Sequence, residues 1–275
     1  MAITTVDGAI AGMQPPNFIA KAVSATLTAG MPFGTWFLAG SPSSGLIRTA
    51  IGGIALTSTA SNRQGQVPFN NPGSGNQYLA RLQGNALQAG VLILCDRLLD
   101  VNVTSTGPTP VTVATASTVS STGILARDAN GSSAGVGVML GFEVTTVLAG
   151  AGGTISASYT NSTGTAAHTA TTLSTIAAAA PVGSIFFTGL AAGDIGVQSI
   201  QTLTLSTAWT SGAISALLYR PIAALEIQAA GIPNAIDALT AGFPKLYNGT
   251  VPFFIFVPNT TTATTIQGSM VTTQG

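Results

Sequence analysis

Between Val101 and Leu218 the chain repeats one pattern: a short segment rich in Val, Ile, Thr, Tyr and Phe, then a turn carrying Gly or Asn. The segments are Val111 to Val119, Val136 to Val147, Thr154 to Thr160, Ser184 to Phe187, Ile200 to Ser206 and Ala213 to Tyr219. The turns are Asp128 to Ser133, Gly150 to Gly153, Asn161 to Gly164, Gly189 to Gly193 and Thr210 to Gly212, supplying the residue types that accept positive φ. Short strands at this spacing predict a mainly β protein, an antiparallel β-sandwich or jelly roll. The clearest hairpin is Gln201 to Ser206 with Ala213 to Tyr219. Leu203 and Leu205 share one face, Thr202, Thr204 and Ser206 the other, and Ile214, Ala216 and Leu218 alternate after the turn.

Outside this region the signals change. Residues 1–76 carry Pro15, Pro16, Pro32, Pro42, Pro68 and Pro72 among Gly and Ser, which reads as an extended, loop-rich N-terminal arm with room for a short helix at Phe18 to Val23. Residues 77–232 form the expected sandwich core. Tyr78 to Leu82 and Val91 to Leu99 read as two strands with a wide connection, although Leu79, Leu82, Leu87 and Leu94 could also share a helix face. Ile222 to Ala230 fits strand or helix. Residues 233–275 read as a short C-terminal helix within Pro233 to Leu246, then the apolar Phe253 to Val257, then a Thr-rich tail that is ordered only if it docks on something.

Composition bears on partners. Charged residues are 6% of the chain, eight basic and eight acidic, with a net charge of zero, where soluble proteins carry about 25%. Spread over the roughly 11,000 Å² expected for this mass, 16 charges protect a surface poorly against association. The surface is therefore expected to be covered by Ser, Thr, Asn and Gly or buried against partners, which points to homo-oligomerisation, a trimer being the expected closed form. The basic residues Lys21, Arg48, Arg63, Arg81, Arg97, Arg127, Arg220 and Lys245 are scattered singly, so direct nucleic-acid binding is not expected. No apolar run approaches the 20 or so residues of a membrane helix, since Val91 to Leu99 is broken by Asp96 and Arg97, and Met1 to Gly12 lacks the basic start of a secretory signal. The Asn-x-Ser/Thr sequons at Asn102, Asn130, Asn161, Asn248 and Asn259 then reflect only the abundance of these residues.

Residues that could carry chemistry are few. Gly131, Ser132, Ser133, Ala134, Gly135 matches a nucleophile elbow, but an elbow needs a strand before its serine and a helix after it, and the context of Ser133 is turn then strand. His168 is the single histidine and sits in a small polar stretch, expected as an exposed loop or strand-edge residue. Cys95 is the single cysteine, which excludes an intramolecular disulfide, and its apolar flanks read as burial. Asp128 and Asn130 resemble part of a calcium loop without its terminal Glu, and read as a turn. Asp96, Arg97, Asp100 and the Arg127–Asp128 pair are expected to pair across strands or subunits, because adjacent strand residues point to opposite faces. No catalytic, metal or cofactor-binding residue is assigned, and the expectation is a non-enzyme.

Several segments resemble a group of virion proteins of tailed phages and prophages. They are Tyr78 to Leu82, Val91 to Leu98, Ala126 to Gly131, Ser158 to Asn161, and Gly189 to Gly196 with Leu203, Leu205, Trp209 and Thr210. The resemblance spans roughly Tyr78 to Glu226 and carries no catalytic motif. It implies location in the virion, assembled in the host cytoplasm, and a role as a capsid decoration or cement protein contacting the major capsid protein or other virion subunits. A tail, baseplate or fibre component, a major capsid protein, and a host-surface or carbohydrate-binding module using Trp36 or Trp209 are the alternatives.

Overall fold

The computed structural model describes residues 3–23, 26–46, 53–58, 64–69, 71–72, 75–104, 111–112, 126–150, 152–207 and 209–275. The elements before residue 105 are α1 (Val6–Ala11), β1 (Asn17–Val23), β2 (Phe33–Gly34), β3 (Ala39–Ser41), β4 (Ile54–Ala55), β5 (Gln77–Ala86) and β6 (Gly90–Thr104). The middle holds β7 (Val111–Thr112), β8 (Met139–Ala149), β9 (Ile155–Asn161), β10 (His168–Thr172), β11 (Ile185–Gly189), β12 (Val197–Leu205) and β13 (Ser211–Ile227). The last part holds β14 (Asn234–Asp237), α2 (Ala238–Ala241), β15 (Lys245–Leu246), β16 (Pro252–Pro258) and β17 (Thr264–Gln274). The result is a mainly β molecule of two antiparallel sheets in a sandwich-like arrangement. One sheet runs β14-β5-β17-β1-β3, with β15 beside β5; the other runs β2-β16-β6-β13-β8-β11-β10-β9-β12-β7, with β4 beside β6.

Two strands organise everything else. β6 and β13 have 15 and 17 residues, well beyond the usual strand length of about 5–6, and they pair from Gly90↔Ile227 to Thr104↔Ala213. Strands this long serve two cores. Leu92, Leu94, Leu225 and Ile227 pack with Ile19, Leu82, Ile266 and Met270 of the six-stranded sheet. Leu99, Val101, Val103, Ile214, Ala216 and Leu218 pack with Val144, Tyr159, Leu203, Leu205 and Trp209.

A period-two strand keeps even and odd residues on opposite faces, so one uninterrupted strand cannot present both Leu94 and Leu99 to the same side. The register shifts resolve the conflict. The pairing steps from Leu218↔Leu99 to Tyr219↔Arg97, leaving Leu98 as an extra residue on β6, and from Pro221↔Cys95 to Ala223↔Leu94, leaving Ile222 extra on β13. Each bulge flips the alternation once, and the second accommodates Pro221, a residue that interrupts a central ladder anywhere else. The opposite face of the same strands carries a third cluster with Trp36, Cys95, Leu217, Tyr219, Phe253 and Ile255.

Several expected elements differ from those observed. Gln201 to Ser206 and Ala213 to Tyr219 are strands but not a hairpin, because β12 pairs with β9 and β7 while β13 is taken up between β6 and β8. Phe18 to Val23 is strand, with Ile19, Lys21 and Val23 buried and Phe18, Ala20 and Ala22 exposed, a period of two in place of a helical one. The connection expected to be wide between Leu82 and Val91 is tight, because β5 runs on to Ala86 before β6 starts at Gly90. Pro233 to Leu246 holds only four helical residues. Asn234–Asp237 pairs with the free edge of β5 instead, Asp237 then caps α2, and Gly242 at φ 71° ends it. Ile222 lies within β13, which continues as strand to Ile227. The Thr-rich tail is β17, bonded to β1 on one side and β5 on the other, so it docks within its own chain. Of Val111 to Val119, Val111–Thr112 forms β7 and the remainder lies outside the described residues.

The bulge at Leu98 makes a direct prediction. Deleting Leu98 removes the extra residue but leaves Arg97 opposite Tyr219 and Leu99 opposite Leu218, so Leu99, Val101 and Val103 keep their core face. The variant should retain a cooperative thermal transition by circular dichroism, with a lower midpoint for the loss of a buried leucine side chain worth about 2–5 kcal/mol. Leu87→Ser, at a position 61% exposed, should stay within about 0.5 kcal/mol of the parent.

Candidate functional site

The polar chemistry of the molecule is inside it. Lys21, Arg97, Arg127, Arg220, Asp96, Asp100, Asp128 and Glu143 are all buried, four of each sign. Among the described residues that leaves Asp7, Arg81, Asp194, Glu226, Asp237 and Lys245. Even with Arg48 and Arg63 added, the surface of 10,777 Å² carries at most eight formal charges.

Arg97 is the centre of the first group. Its Nη2 lies 2.7 Å from Asp100 Oδ1, its Nη1 lies 2.6 Å from Glu143 Oε2, and its Nε donates to Asp100 Oδ1 at 2.8 Å. The bulge at Leu98 is what puts Arg97 and Asp100, three apart, on the same face. Glu143 is on β8, two strands away, so the guanidinium spans β13 to reach it. The rings of Trp36, Phe253 and Phe37 lie 4.8, 5.2 and 5.6 Å from the guanidinium carbon, a low-dielectric wall with cation–π contact. Burial alone would lower the pKa of Arg97; the two carboxylates more than reverse it. Burial pushes Glu143 up to about 7 against the pull of Arg97, and Asp100 adds to the rise. Gly34 has no side chain because a Cβ there would stand 2.3 Å from Glu143 Oε1.

A second group occupies the opposite face of β6. Asp96 Oδ1 accepts from Val251 N–H at 2.8 Å and lies 3.4 Å from Arg127 Nη1, while Asp96 Oδ2 lies 3.9 Å from Arg220 Nη2. Arg127 also donates to Leu56 O at 2.6 Å and to Gly249 O. Burial, with Asp96 opposing and Arg220 adding, lowers the pKa of Arg127. The first group holds two carboxylates and one cation, the second two cations and one carboxylate. Their excesses cancel across a single strand, and both contain the partners across strands that adjacent Asp96 and Arg97 are expected to seek. Arg97 also takes one partner, Asp100, from its own strand.

Asp128 forms a closed loop. Its two oxygens accept from the N–H groups of Asn130, Ser132, Gly135 and Val136 at 2.7–3.1 Å and from the Ser132 hydroxyl at 2.6 Å. Burial works to raise its pKa, and these bonds outweigh it and hold the carboxyl below its ordinary value. The carboxylate is thus spent on the turn, as the sequence suggests. The Gly131 to Gly135 motif wraps around Asp128 and leads into β8, so Ser133 has no helix behind it.

His168 is not a bare edge residue. It opens β10, with Nδ1 2.7 Å from Asp194 Oδ2 and its ring 5.8 Å from that of Tyr159. The Tyr159 hydroxyl donates to the same Asp194 oxygen and accepts from Ala191 N–H at 2.9 Å; Asn161 donates to Asp194 Oδ1 at 2.8 Å. The hydrogen bond from Tyr159, followed by those of Asn161 and His168, holds Asp194 below its ordinary value. This group ties the loop before β12 onto the β9–β10 hairpin. Cys95 is buried in the third cluster, and burial drives its thiol well above the usual range. Lys21, unremarked in the sequence, is buried with Nζ bonded to the carbonyls of Leu38 at 3.1 Å, Pro42 and Ser43 at 3.2 Å, and burial lowers it to about 8.

Fold and site together define a two-sheet β protein with an internalised charge network. No protein-family model and no curated protein matches the chain. It aligns with the structure of infectious bursal disease virus Gt strain over 96% of this chain and 81% of that one, at 8% identity and a TM-score of 0.21. The VP2 subviral particle of that virus aligns over 96% and 81%, at 9% identity and 0.19, and the Gx strain over 95% and 80%, at 9% and 0.21. Scores at this level accompany unrelated topologies, and the likeness carries no argument.

Glu143 makes the site testable by pH. Its carboxyl is raised in the folded chain, so between its ordinary 4.5 and about 7 the folded state binds more protons than the unfolded state, and stability falls as pH rises. Urea unfolding across that window should show the parent losing stability relative to Glu143→Gln; parallel curves would mean that Glu143 stays ionised throughout.

Proposed function

We propose that the chain is a non-enzymatic structural subunit of a virus particle, a capsid decoration or cement protein that bridges neighbouring shell proteins and assembles with copies of itself, most simply as a trimer. The observation that carries this reading is the inside-out distribution of charge. A chain with eight charges buried and at most eight outside has a neutral surface, and association is what such a surface is suited to. Cement subunits act through contact area repeated over many copies, at about 25 cal/mol per Å² of apolar surface before association costs, and an uncharged surface gives up little on desolvation.

Other features agree. Phe18, Leu173, Ile195, Ile232 and Leu239 are 58–90% exposed, which supplies apolar contact points on several sides. Arg81 and Lys245 are the only basic side chains not buried among the described residues, too few to grip phosphates. No described helix is long and apolar enough to cross a membrane. The tryptophans a sugar-binding face would need are inside, Trp36 at 0% and Trp209 at 5% exposure, which weighs against the carbohydrate-binding alternative. Contacts with neighbouring subunits fall to the sheet faces and to the residues before β1, because β17 is consumed within the chain.

Phage heads lacking the protein provide the test. The purified chain should co-sediment with such heads and saturate at a fixed ratio to the major capsid protein. Indifference to heads, with binding to tails, baseplates or glycans, would overturn the decoration role.

A further inference from the structure

One end of the six-stranded sheet carries an apolar groove of about 790 Å³, walled by α1 and α2 and floored by Tyr78 and Ala80 of β5. α1 is an unusual wall, because none of its six residues is buried. An isolated helix this short is not stable in water, and packing does not hold this one. It is pinned by its end to β17: Gln14 N–H donates to Thr272 O at 2.8 Å, Gln274 N–H to Gly12 O at 2.9 Å, and the Thr273 hydroxyl to Ala9 O at 2.6 Å. The approach is so close that a Cβ on Gly12 would stand 2.0 Å from Gln274 O. The anchorage leaves Val6 and Ile10, at i and i+4, 76% and 64% exposed, with Met13 at 46% beyond them. All three line the groove.

The groove offers nothing to a charged ligand. Asp237 is the one charged residue lining it, and its Oδ1 already accepts from Leu239 N–H, Thr240 N–H and the Thr240 hydroxyl, each at 3.0 Å. What suits the groove is an apolar side chain, and the same chain presents one on its rim. Leu239 is 90% exposed, the most exposed large hydrophobic of the molecule's described residues. A protruding leucine beside an apolar recess is self-complementary, and a knob lying next to its own hole is satisfied by a two-fold rotation, in which each copy fills the other.

We propose that this groove is a two-fold contact between copies of the chain, with Leu239 of each copy seated between α1 and α2 of the other. The contact rests on the self-assembling role proposed above and adds to it a defined surface, one that links trimers in pairs where a three-fold contact is also present. Apolar burial drives it, so it is insensitive to salt.

Sedimentation velocity of the full chain tests the contact. The parent should double in mass with concentration, and Leu239→Lys should raise the dissociation constant of that step about a hundredfold with an unchanged melting temperature. Leu87→Lys, at a site 61% exposed elsewhere, should leave the doubling unchanged. Mixing Val6→Cys chains with Leu239→Cys chains under oxidation should give a cross-linked pair, with the buried Cys95 as a silent bystander. Absence of the doubling, an unaltered constant in Leu239→Lys, or no mixed cross-link would each overturn the proposal. Binding to heads reads the particle role separately: head binding without doubling removes only the groove contact, and doubling without head binding removes only the particle role.

Discussion

The guanidinium of Arg97 is the point on which the structure turns. It is fully buried, it is held by Asp100 and Glu143, and three aromatic rings surround it. Those partners come from β6, β8, β16 and the segment after β2, so satisfying one side chain requires four parts of the chain to meet in one arrangement. Buried ion pairs add little net stability compared with apolar packing, but an incomplete one strands charge at a cost of about 3–5 kcal/mol. That asymmetry penalises misregistered pairings of β6 and β13 that the many Val, Leu and Ala residues alone would tolerate. The bulge at Leu98 belongs to the same device, since it both redirects the core leucines and places Asp100 beside Arg97.

From this follows the character of the surface. The chain spends its few charges on internal addressing, one excess negative on one face of β6 and one excess positive on the other, and has little left for solvation outside. What remains exposed is Ser, Thr, Asn, Gly and scattered large apolar residues. The same allocation that specifies the fold thus predisposes the folded chain to associate, and the proposed particle role and the α1–α2 contact are two readings of that consequence.

Much of the fold was legible because strand alternation and turn chemistry are local. β8, β9, β11, β12 and the start of β13 lie close to where local alternation and turn chemistry put them. Alternation does not choose the partner, however: β12 pairs with β7 and β9 and β13 with β6 and β8, so the expected hairpin between them does not form. Errors arose where tertiary pairing overrode local signal. Ile236, Leu239 and Phe243 have helical spacing, yet the open edge of β5 captured Asn234–Asp237, and the Thr-rich tail became an inner strand through pairing with β1 and β5. The site was partly legible. Asp96, Arg97 and Asp100 stood out as a group, but Glu143 and Lys21 did not. The signal was there: Phe142-Glu143-Val144 and Ala20-Lys21-Ala22 each set a lone charge inside an apolar strand, and a charge so placed has an inner face to turn to. The Asp194 tie to His168 had no local trace, because it joins residues 26 positions apart through the folding of β10 onto the loop before β12.

The central claim is that the charges lie inside, and residue-resolved arginine labelling measures it directly. Phenylglyoxal followed by mass spectrometry should modify Arg81 in the native protein while Arg97, Arg127 and Arg220 stay protected until the chain is unfolded. Modification of those three at the rate of Arg81 in the native state would contradict the account.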